Sequence, residues 1–185
     1  MRSQILYLAA CSLVFAIITH ISIIFFIPLF GEKDAAKRIM QKSGTNQFEM
    51  LTDNEKFGLT NSDPFFRLAS CQFDLNNNAI EVTGGVSQLF WSASVFSSRG
   101  RVIYSLSQRT AIANKLRIIV VNPVQMANIR QLQPAELETS IVVETSEPNG
   151  FVIIRALLPD QTWNSAVEGF LAGLKCGPYV DAGVQ

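Results

Sequence analysis

Residues 5–30 decide the topology of this chain; they read ILYLAACSLVFAIITHISIIFFIPLF. The run holds no charged side chain, and Ile, Leu, Phe, Val and Ala dominate it. About 20 apolar residues in a helix, each rising about 1.5 Å, cross a hydrocarbon core of about 30 Å. The run can therefore span a bilayer with some tilt. We predict a transmembrane anchor over residues 1–31.

The alternative for this run is a cleaved signal peptide. The apolar part of a signal peptide covers only about 7 to 15 residues and ends at a site of small side chains. Here the run is longer, and it closes with the bulky side chains of residues 26–30, FIPLF. We therefore expect an uncleaved helix that contacts membrane lipid.

The basic residues that flank the run leave the orientation undecided. Arg2 precedes it, whereas Lys33, Lys37, Arg38 and Lys42 follow it. A count of Lys and Arg would keep the C-terminal part in the cytoplasm, but long domains are translocated largely regardless of charge. Either side of the membrane is compatible with these counts.

Residues 32–62 have the composition of a juxtamembrane stalk and linker. Residues 34–43 predict a short polar helix. Residues 48–59 are a weakly patterned connector, with a hint of one helical turn at residues 53–56. We therefore place the start of the folded domain at residue 63.

Residues 63–185 have the pattern of one β-rich domain. Asp63 can cap a helix that starts at Pro64, so a short helix is predicted over residues 64–70. Short strand-like runs bounded by turn residues follow at fairly even spacing. These runs cover residues 71–75, 80–83, 89–96, 102–104, 116–121, 140–145 and 151–158.

The strand pattern predicts the architecture. Residues 116–121 form a continuous apolar run, typical of a strand buried on both faces. The Asn149-Gly150 pair predicts a hairpin turn that joins the last two runs. We predict a mainly β fold, a jelly-roll-like antiparallel β-sandwich, because βαβ alternation is missing from the pattern.

One amphipathic helix is predicted near the C-terminus, after Asp160 as its N-cap. Its apolar residues fall on one face at helical spacing. They are Trp163, Ala166, Val167, Phe170, Leu171 and Leu174. Gly169 and Gly173 lie four residues apart, which permits close packing. The face can cover the sandwich or dock a partner, and the first interpretation is favoured.

The charge of the chain argues against a nucleic-acid partner. Fifteen Lys and Arg residues balance fifteen Asp and Glu residues, so the net charge is zero. Nucleic-acid binders usually carry a clustered basic excess, because phosphate neutralisation supplies most of their affinity. We expect no nucleic acid among the partners.

The residues for familiar catalytic sites are scarce. His20 is the only histidine, and it lies inside the apolar run, so no catalytic triad or Cys-His dyad is expected in the domain. Zinc sites draw on Cys and His, and no phosphate-binding loop motif occurs. A hydrolase or isomerase that uses carboxylates alone stays as an alternative. We expect a protein that is not an enzyme, with no cofactor or metal.

Cys71 and Cys176 lie at opposite ends of the domain sequence. They are either two buried thiols, as in a reducing cytosol, or a disulfide formed in an oxidising compartment. Closing so long a loop would contribute a few kcal/mol by the chain-entropy argument. From these residues alone, both states remain open.

A ligand pocket could be lined by aromatic side chains of the strands. The candidate residues are Phe73, Trp91, Phe96 and Tyr104. Aromatic residues in strands more often form core, which is the alternative. Arg99, Arg101 and Arg109 surround Tyr104 in sequence; they could receive an anion, although solvated turn charges are the simpler interpretation.

Several strings of the domain resemble a bacterial envelope family, the domain of unknown function 1254 in its short, membrane-anchored form. They are CQFDL at 71–75, FWSASVF at 90–96, IYSLSQR at 103–109 and IIRALLPD at 153–160. The resemblance implies a jelly-roll-like sandwich on the periplasmic side of the bacterial inner membrane. It also implies that Cys71 and Cys176 are paired. It implies no catalytic residues.

These patterns predict a single-pass membrane protein with an envelope-facing β-sandwich. A non-enzymatic role is expected, in which the domain binds an envelope protein or stabilises an assembly. The first alternative is a small-ligand binding module that uses the sandwich interior near Trp91. The second is the carboxylate-based hydrolase or isomerase.

Overall fold

The computed structural model describes residues 2–51, 63–132 and 135–180. Its helices are α1 (Arg2–Lys42), α2 (Pro123–Leu132) and α3 (Asn164–Ala172). Its strands are β1 (Glu49–Met50), β2 (Phe66–Asp74), β3 (Ile80–Gly84), β4 (Trp91–Ser97), β5 (Val102–Ser107), β6 (Leu116–Val121), β7 (Ile141–Glu144), β8 (Asn149–Leu157) and β9 (Lys175–Pro178). Short 3-10 helices cover Gln108–Thr110, Ile112–Asn114, Ala135–Thr139 and Gln161–Trp163.

The strands form two sheets. The first, sheet A, has the order β1-β2-β8-β4-β5, and all its pairs are antiparallel. The second, sheet B, has the order β7-β6-β3-β9, and its β6–β7 pair is parallel. The prediction of a purely antiparallel, mainly β domain is therefore wrong for this pair. The architecture is mixed α/β.

The facing sides of the two sheets share one apolar core. In β4, Trp91, Ala93 and Val95 are buried and alternate with half-buried residues, as expected for a strand with one face inward. The same core includes Phe73 of β2, Val82 of β3 and further residues of β6 and β8. Burying apolar surface from both sheets is what holds the two layers together.

Strand β6 is buried on both faces, as its continuous apolar run predicted. Ile118 and Val120 belong to the core between the sheets. Ile119 and Val121 face the other way, where Met126 and Ile129 of α2 pack against them. Helix α2 therefore covers the outer face of sheet B.

Helix α1 is continuous over 41 residues, so the predicted polar helix over residues 34–43 is its last part. Its segment Arg2–Ile27 has a mean hydropathy of 2.4 and is not buried against the rest of the chain. Among the described residues, one helix is thus long and apolar enough to cross a membrane. The predicted helical turn at residues 53–56 lies outside the described residues.

The predicted helix over residues 64–70 is wrong, because β2 begins at Phe66. Asp63 caps only a turn, in which its carboxylate accepts a hydrogen bond of 3.0 Å from the amide of Phe65. From Phe66 onward, β2 pairs with β8 in an unbroken antiparallel register. Tertiary pairing thus outweighs the local capping signal.

The predicted hairpin at Asn149-Gly150 is also wrong. Strand β7 lies in sheet B and β8 in sheet A, so the chain crosses between the sheets instead of turning back. Gly150 is needed for close packing, since a Cβ there would lie 2.5 Å from Cζ of Phe73. A turn with a positive φ is found at Gly100, between β4 and β5, where a turn was predicted.

The predicted C-terminal helix is present as the 3-10 turn Gln161–Trp163 followed by α3. Asp160 caps it as expected, since its carboxylate accepts a hydrogen bond of 2.8 Å from the amide of Thr162. Val167 and Leu171 are buried, whereas Trp163 is 42% exposed. The helix covers one end of the core and leaves part of its apolar face open.

Candidate functional site

The four aromatic residues proposed for a pocket do not line one common cavity. Phe73 and Trp91 are fully buried within the core between the sheets. Phe96 lies on the opposite face of sheet A, where its ring stacks on Phe151 at a centroid distance of 5.1 Å. Tyr104 is 39% exposed on β5. The structure therefore distributes these residues over the core, the outer face and the sheet edge.

An open groove lies instead between α3 and the segment that joins β3 to β4. Its volume is about 520 Å³. The residues that line it are Gly85, Val86, Ser87, Gln88, Leu89, Trp163, Ala166, Gly169, Phe170 and Gly173. Its size is within the range of small-molecule pockets, which is roughly 300–1,000 Å³.

Two glycines keep the groove open. A Cβ at Gly85 or at Gly169 would meet no atom within 4 Å. The spacing of Gly169 and Gly173 suggested close packing of the helix on a neighbour. Gly169 instead faces the open space of the groove. The exposed Val86 and Trp163 lie on opposite walls of this groove.

The floor of the groove connects to the core through an aromatic pair. The ring of Phe170 stacks on that of Trp91 with 6.3 Å between centroids. Nε1 of Trp91 is buried, with no hydrogen-bond partner in the part of the chain that the structure describes. Trp91 thus touches the groove through Phe170 and not through a cavity of its own.

The wall formed by the β3–β4 segment is held by Ser87. Its hydroxyl oxygen accepts a hydrogen bond of 3.0 Å from the amide of Leu89. Its carbonyl oxygen accepts from Nε2 of Gln108 at 3.0 Å and from Nδ2 of Asn114 at 3.2 Å. These bonds tie the wall to the two 3-10 turns that follow β5.

A disulfide joins the two sheets. Cys71 on β2 is bonded to Cys176 on β9, with 6.5 Å between their Cα atoms. The residues are 105 apart in sequence. By the chain-entropy argument, a loop of about this length contributes about 4 to 5 kcal/mol. Together with the N-terminal apolar helix, the disulfide indicates an extracytoplasmic location, since stable disulfides persist in oxidising compartments.

The last turns of α1 pack against the outer face of sheet A. Ala36 and Ile39 form a buried cluster with Phe151 of β8, and Phe96 of β4 packs beside it. Seven residues after Ala36, the hydroxyl of Ser43 is hydrogen-bonded to that of Ser70 at 2.5 Å, and both residues are buried. Residues 36–43 are therefore attached to the folded domain.

The chain that follows α1 continues this attachment. Gly44 accepts a hydrogen bond of 3.2 Å from the amide of Gln72, and the amide of Asn46 donates one of 3.1 Å to the carbonyl of Gln72. Strand β1 then pairs with Ser70 and Ala69. The boundary at residue 63 stays a prediction, but residues 36–51 contact the sheet that it assigns to the domain.

Strand β5 is one of the two edge strands of sheet A. Val102 is 60% exposed there. Arg99 and Arg101 lie in the turn before the strand, and Arg109 lies in the 3-10 turn after it. Arg101 forms an ion pair with Glu147, whereas both Arg99 and Arg109 are exposed. The arginines of the sequence motif therefore flank both ends of one edge strand.

Several of the described carboxylates stabilise local structure. Glu81 on β3 pairs with Arg117 on β6 at 2.7 Å, and Asp74 accepts a hydrogen bond of 2.9 Å from the amide of Asn76. The hydroxyl of Thr162, followed by its amide, lowers the pKa of Asp160 below its ordinary value of 3.8. No group of three or more potential metal ligands occurs within residues 2–51, 63–132 and 135–180.

Neither the groove nor the docking of the end of α1 on sheet A was predicted from the sequence. Trp163 and Ala166 were expected to pack inward, and a signal for the groove existed in the two small residues next to them, Gly169 and Gly173. A signal for the docking existed too, because Ala36, Ile39 and Met40 have helical spacing and form one apolar face. The segment was interpreted as a polar helix because most of its other residues are charged or polar.

Comparison with known sequences assigns no family. No family model matches the chain, and no curated protein matches it either. The similarity to domain of unknown function 1254 therefore rests on the short strings described above.

Comparison with solved structures finds similar folds in bacteria. The VPA0106 protein from Vibrio parahaemolyticus superposes with a TM-score of 0.60 and 9% identity, covering 81% of this chain and 36% of that one. A putative uncharacterized protein from Burkholderia cenocepacia gives a TM-score of 0.44 and 12% identity, over 83% and 40% of the two chains. This chain spans about a third of the length of the Vibrio protein. At 9% identity, the likeness establishes a shared fold with that bacterial protein.

Proposed function

We propose that this chain is a single-pass protein of a bacterial inner membrane. In this proposal its folded domain lies in the periplasm and binds an envelope protein or stabilises an assembly, without catalysing a reaction. The domain would be a jelly-roll-like sandwich of the family named above. The similar fold of a bacterial protein supports this proposal.

The observation that carries the proposal is the contrast along α1. Arg2–Ile27 is apolar on all sides and exposed, which is stable in lipid but not in water. The same helix then packs on sheet A through Ala36 and Ile39. A segment of this kind tethers the domain close to the bilayer.

The proposed compartment follows from the disulfide. A bond between Cys71 and Cys176 is stable in the oxidising periplasm and rare in the cytosol. The basic residues after the span, Lys33, Lys37, Arg38 and Lys42, would favour the opposite orientation. The disulfide supports the periplasmic choice because it joins β2 of sheet A to β9 of sheet B within the folded domain.

A topology experiment tests both claims. A reporter that is active only outside the cytoplasm is fused after Gln185, and the thiols are probed with a membrane-impermeant reagent before and after reduction. We expect an active reporter, and two thiols that react only after reduction. Cys11 lies within the span, and a Cys11→Ser variant removes its background. An inactive reporter, with Cys71 and Cys176 unreactive in intact cells but reactive without reduction once the cells are lysed and the protein is denatured, would contradict the periplasmic placement.

The binding role is tested in membranes. Crosslinking of the full-length protein in cells, followed by purification, should return the same protein partner in independent repeats. The matched control is a chain with the same anchor and an unrelated domain. Partners recovered equally with the control chain would argue against a specific binding role.

A second candidate function is binding of a small, largely apolar ligand. The groove beside Trp163 and Phe170 favours it, because exposed apolar walls and two open glycines leave room for a ligand. The buried positions of Phe73 and Trp91 direct this alternative to the groove instead of the interior. A metabolite panel should raise the Tm of the wild type but not of a Gly169→Leu variant, which fills the groove.

A further inference from the structure

The direction of α1 across sheet A sets how the domain meets the membrane. The helix lies over β8 and β4 at Ala36 and Ile39, and it reaches β2 at Ser43. From Ala36 to Ser43 the helix rises about 10 Å, and β4 and β2, two strand spacings apart, are separated by about the same distance. The helix therefore runs across the strands of sheet A, from β4 and β8 toward β2.

Following α1 back toward its N-terminus leads to the edge strand β5. The next strand after β4 in the sheet is β5. It lies about 5 Å further on, which corresponds to about three helical residues before Ala36. The apolar run of the sequence ends at Phe30, again about 5 Å before that level. The headgroup layer of one leaflet is about 5 to 8 Å thick.

Strand β5 is therefore the strand of sheet A nearest to the apolar part of α1, and it lies close to the level of the headgroups if α1 spans the bilayer as proposed. Its side chains suit that environment. Val102 is 60% exposed and Tyr104 is 39% exposed, and tyrosine is enriched at membrane interfaces, where its ring is partly buried and its hydroxyl stays hydrated.

The charge around β5 matches an anionic surface. Arg99, Arg101 and Arg109 flank the strand at both ends, and the sequence contains no Asp or Glu between Glu81 and Glu136. Glu147 neutralises Arg101 from another segment. Arg99 and Arg109 are exposed and can approach lipid phosphates, to which basic residues near a membrane surface are attracted.

We propose that the β5 edge, formed by Arg99, Val102, Tyr104 and Arg109, rests on the headgroup layer of the membrane that α1 spans. This inference depends on the proposed membrane anchor. The edge and the helix together give the domain two points of contact with the bilayer, so the domain has one fixed face toward lipid.

Site-specific labelling of the full-length protein in lipid vesicles tests the inference. An environment-sensitive fluorophore is attached to Val102→Cys in a Cys11→Ser background, and headgroup-labelled lipids quench it. The matched control is Val124→Cys, a valine that is 71% exposed on α2, over the outer face of the other sheet. We expect roughly twofold or more stronger quenching at 102 than at 124, because short-range quenching requires contact with the lipid layer.

A label at Phe15→Cys separates the two proposals. Quenching of this label by acyl-chain quenchers reports the span itself. If the label at 15 is quenched while those at 102 and 124 behave alike, the edge contact is overturned and the anchor stands. If the label at 15 is not quenched, both proposals fail. A second label, at Tyr104→Cys, should be quenched like the label at 102, which controls for a local effect of the Val102→Cys substitution.

The arginines are tested by changing the lipid charge. Adding phosphatidylglycerol to phosphatidylcholine vesicles should strengthen quenching at 102, and the Arg99→Gln/Arg109→Gln double variant should lose that increase. Arg130→Gln, an exposed arginine on α2, should keep it. An increase that survives the double variant, or one that is missing in the wild type, would overturn the role of these arginines.

Discussion

The two parts of helix α1 have opposite surroundings although the helix is continuous. Arg2–Ile27 presents apolar side chains in every direction and touches no other part of the fold. Residues 36–43 present apolar side chains on one face only, and that face is buried on sheet A while Lys37 and Arg38 are exposed. The difference shows that the distribution of apolar side chains around a helix, not helix formation, decides whether the helix packs on a sheet through one face or stays exposed on all sides.

The largest expected effect comes from charging the part of α1 assigned to lipid. The double substitution Ala16→Arg/Thr19→Arg puts two cations near the centre of the span, at about 2.5–3.5 kcal/mol each. We expect the protein to move from the carbonate-washed membrane fraction to the soluble or aggregated fraction. Ala35→Arg, at an exposed position of the docked part, should stay in the membrane. Retention of the double variant would refute the span.

A smaller effect is expected from shortening an isoleucine in the docked part. Ile39 is buried against Phe151, so Ile39→Ala should lower the free energy of unfolding of the domain by about 2 kcal/mol or more. Ile18, which is 57% exposed, is the matched control, and Ile18→Ala should change that free energy by less than about 0.5 kcal/mol. Denaturant unfolding in detergent measures both, and equal effects would contradict the docking of α1.

The hydrogen bond at the end of α1 offers a finer test. Ser70→Ala leaves the buried hydroxyl of Ser43 without its partner and should cost about 1 to 2 kcal/mol. The control is a similar but exposed pair on the same sheet, Ser94 and Ser105, whose hydroxyl oxygens are 2.6 Å apart. Ser94→Ala should cost much less, because water replaces the lost bond. The same denaturant-unfolding measurement compares the two losses in free energy of unfolding.

The smallest effect is expected at Asp160, at the start of helix α3 in the folded domain. The pKa of Asp160 is lowered by the hydroxyl and then the amide of Thr162, so its ionised form stabilises the start of α3. This contribution is present above the unfolded-state pKa and is lost as the pH falls through the lower, folded-state pKa. Asp160→Asn should therefore lower the Tm at neutral pH, and its difference from the wild type should shrink as the pH falls through the lowered pKa of Asp160. A constant difference would contradict a role for the charge.

The parts of the fold that depend on local pattern could be predicted. The side chains of a single segment were enough to predict three features. They are the long apolar helix at residues 5–30, the inward face of β4 at Trp91, Ala93 and Val95, and the burial of β6 on both faces. Asp160 likewise marks the start of the C-terminal helix through a contact two residues away. Each of these signals lies within one segment.

Helix α2 shows a local signal that was overlooked. Asn122 precedes Pro123, and its side chain accepts a hydrogen bond of 2.8 Å from the amide of Gln125, while Oε1 of Gln125 accepts one of 2.9 Å from the amide of Asn122. This reciprocal arrangement is a capping box. Asn, Pro and Gln at these positions favour a helix start, yet no helix was predicted between residues 121 and 140.

The groove beside α3 could not be predicted from pattern alone. Trp163 and Phe170 lie on the same side of a helical wheel as Val167, yet only Val167 is fully covered by the core. Whether a residue of an amphipathic face is buried depends on how far the neighbouring sheet extends. That extent is a property of the assembled layers.

The amino-acid sequence by itself determined the long apolar helix, the strand-rich character of the domain and the cap of its last helix, because these depend on the apolarity and hydrogen-bonding groups of neighbouring residues. Only the tertiary structure decided that β7 and β8 belong to different sheets, that Cys71 meets Cys176, and that α1 ends on sheet A. These contacts join residues far apart in sequence. Many pairings of similar apolar strands satisfy the same local pattern, and the packing of the whole core selects one of them.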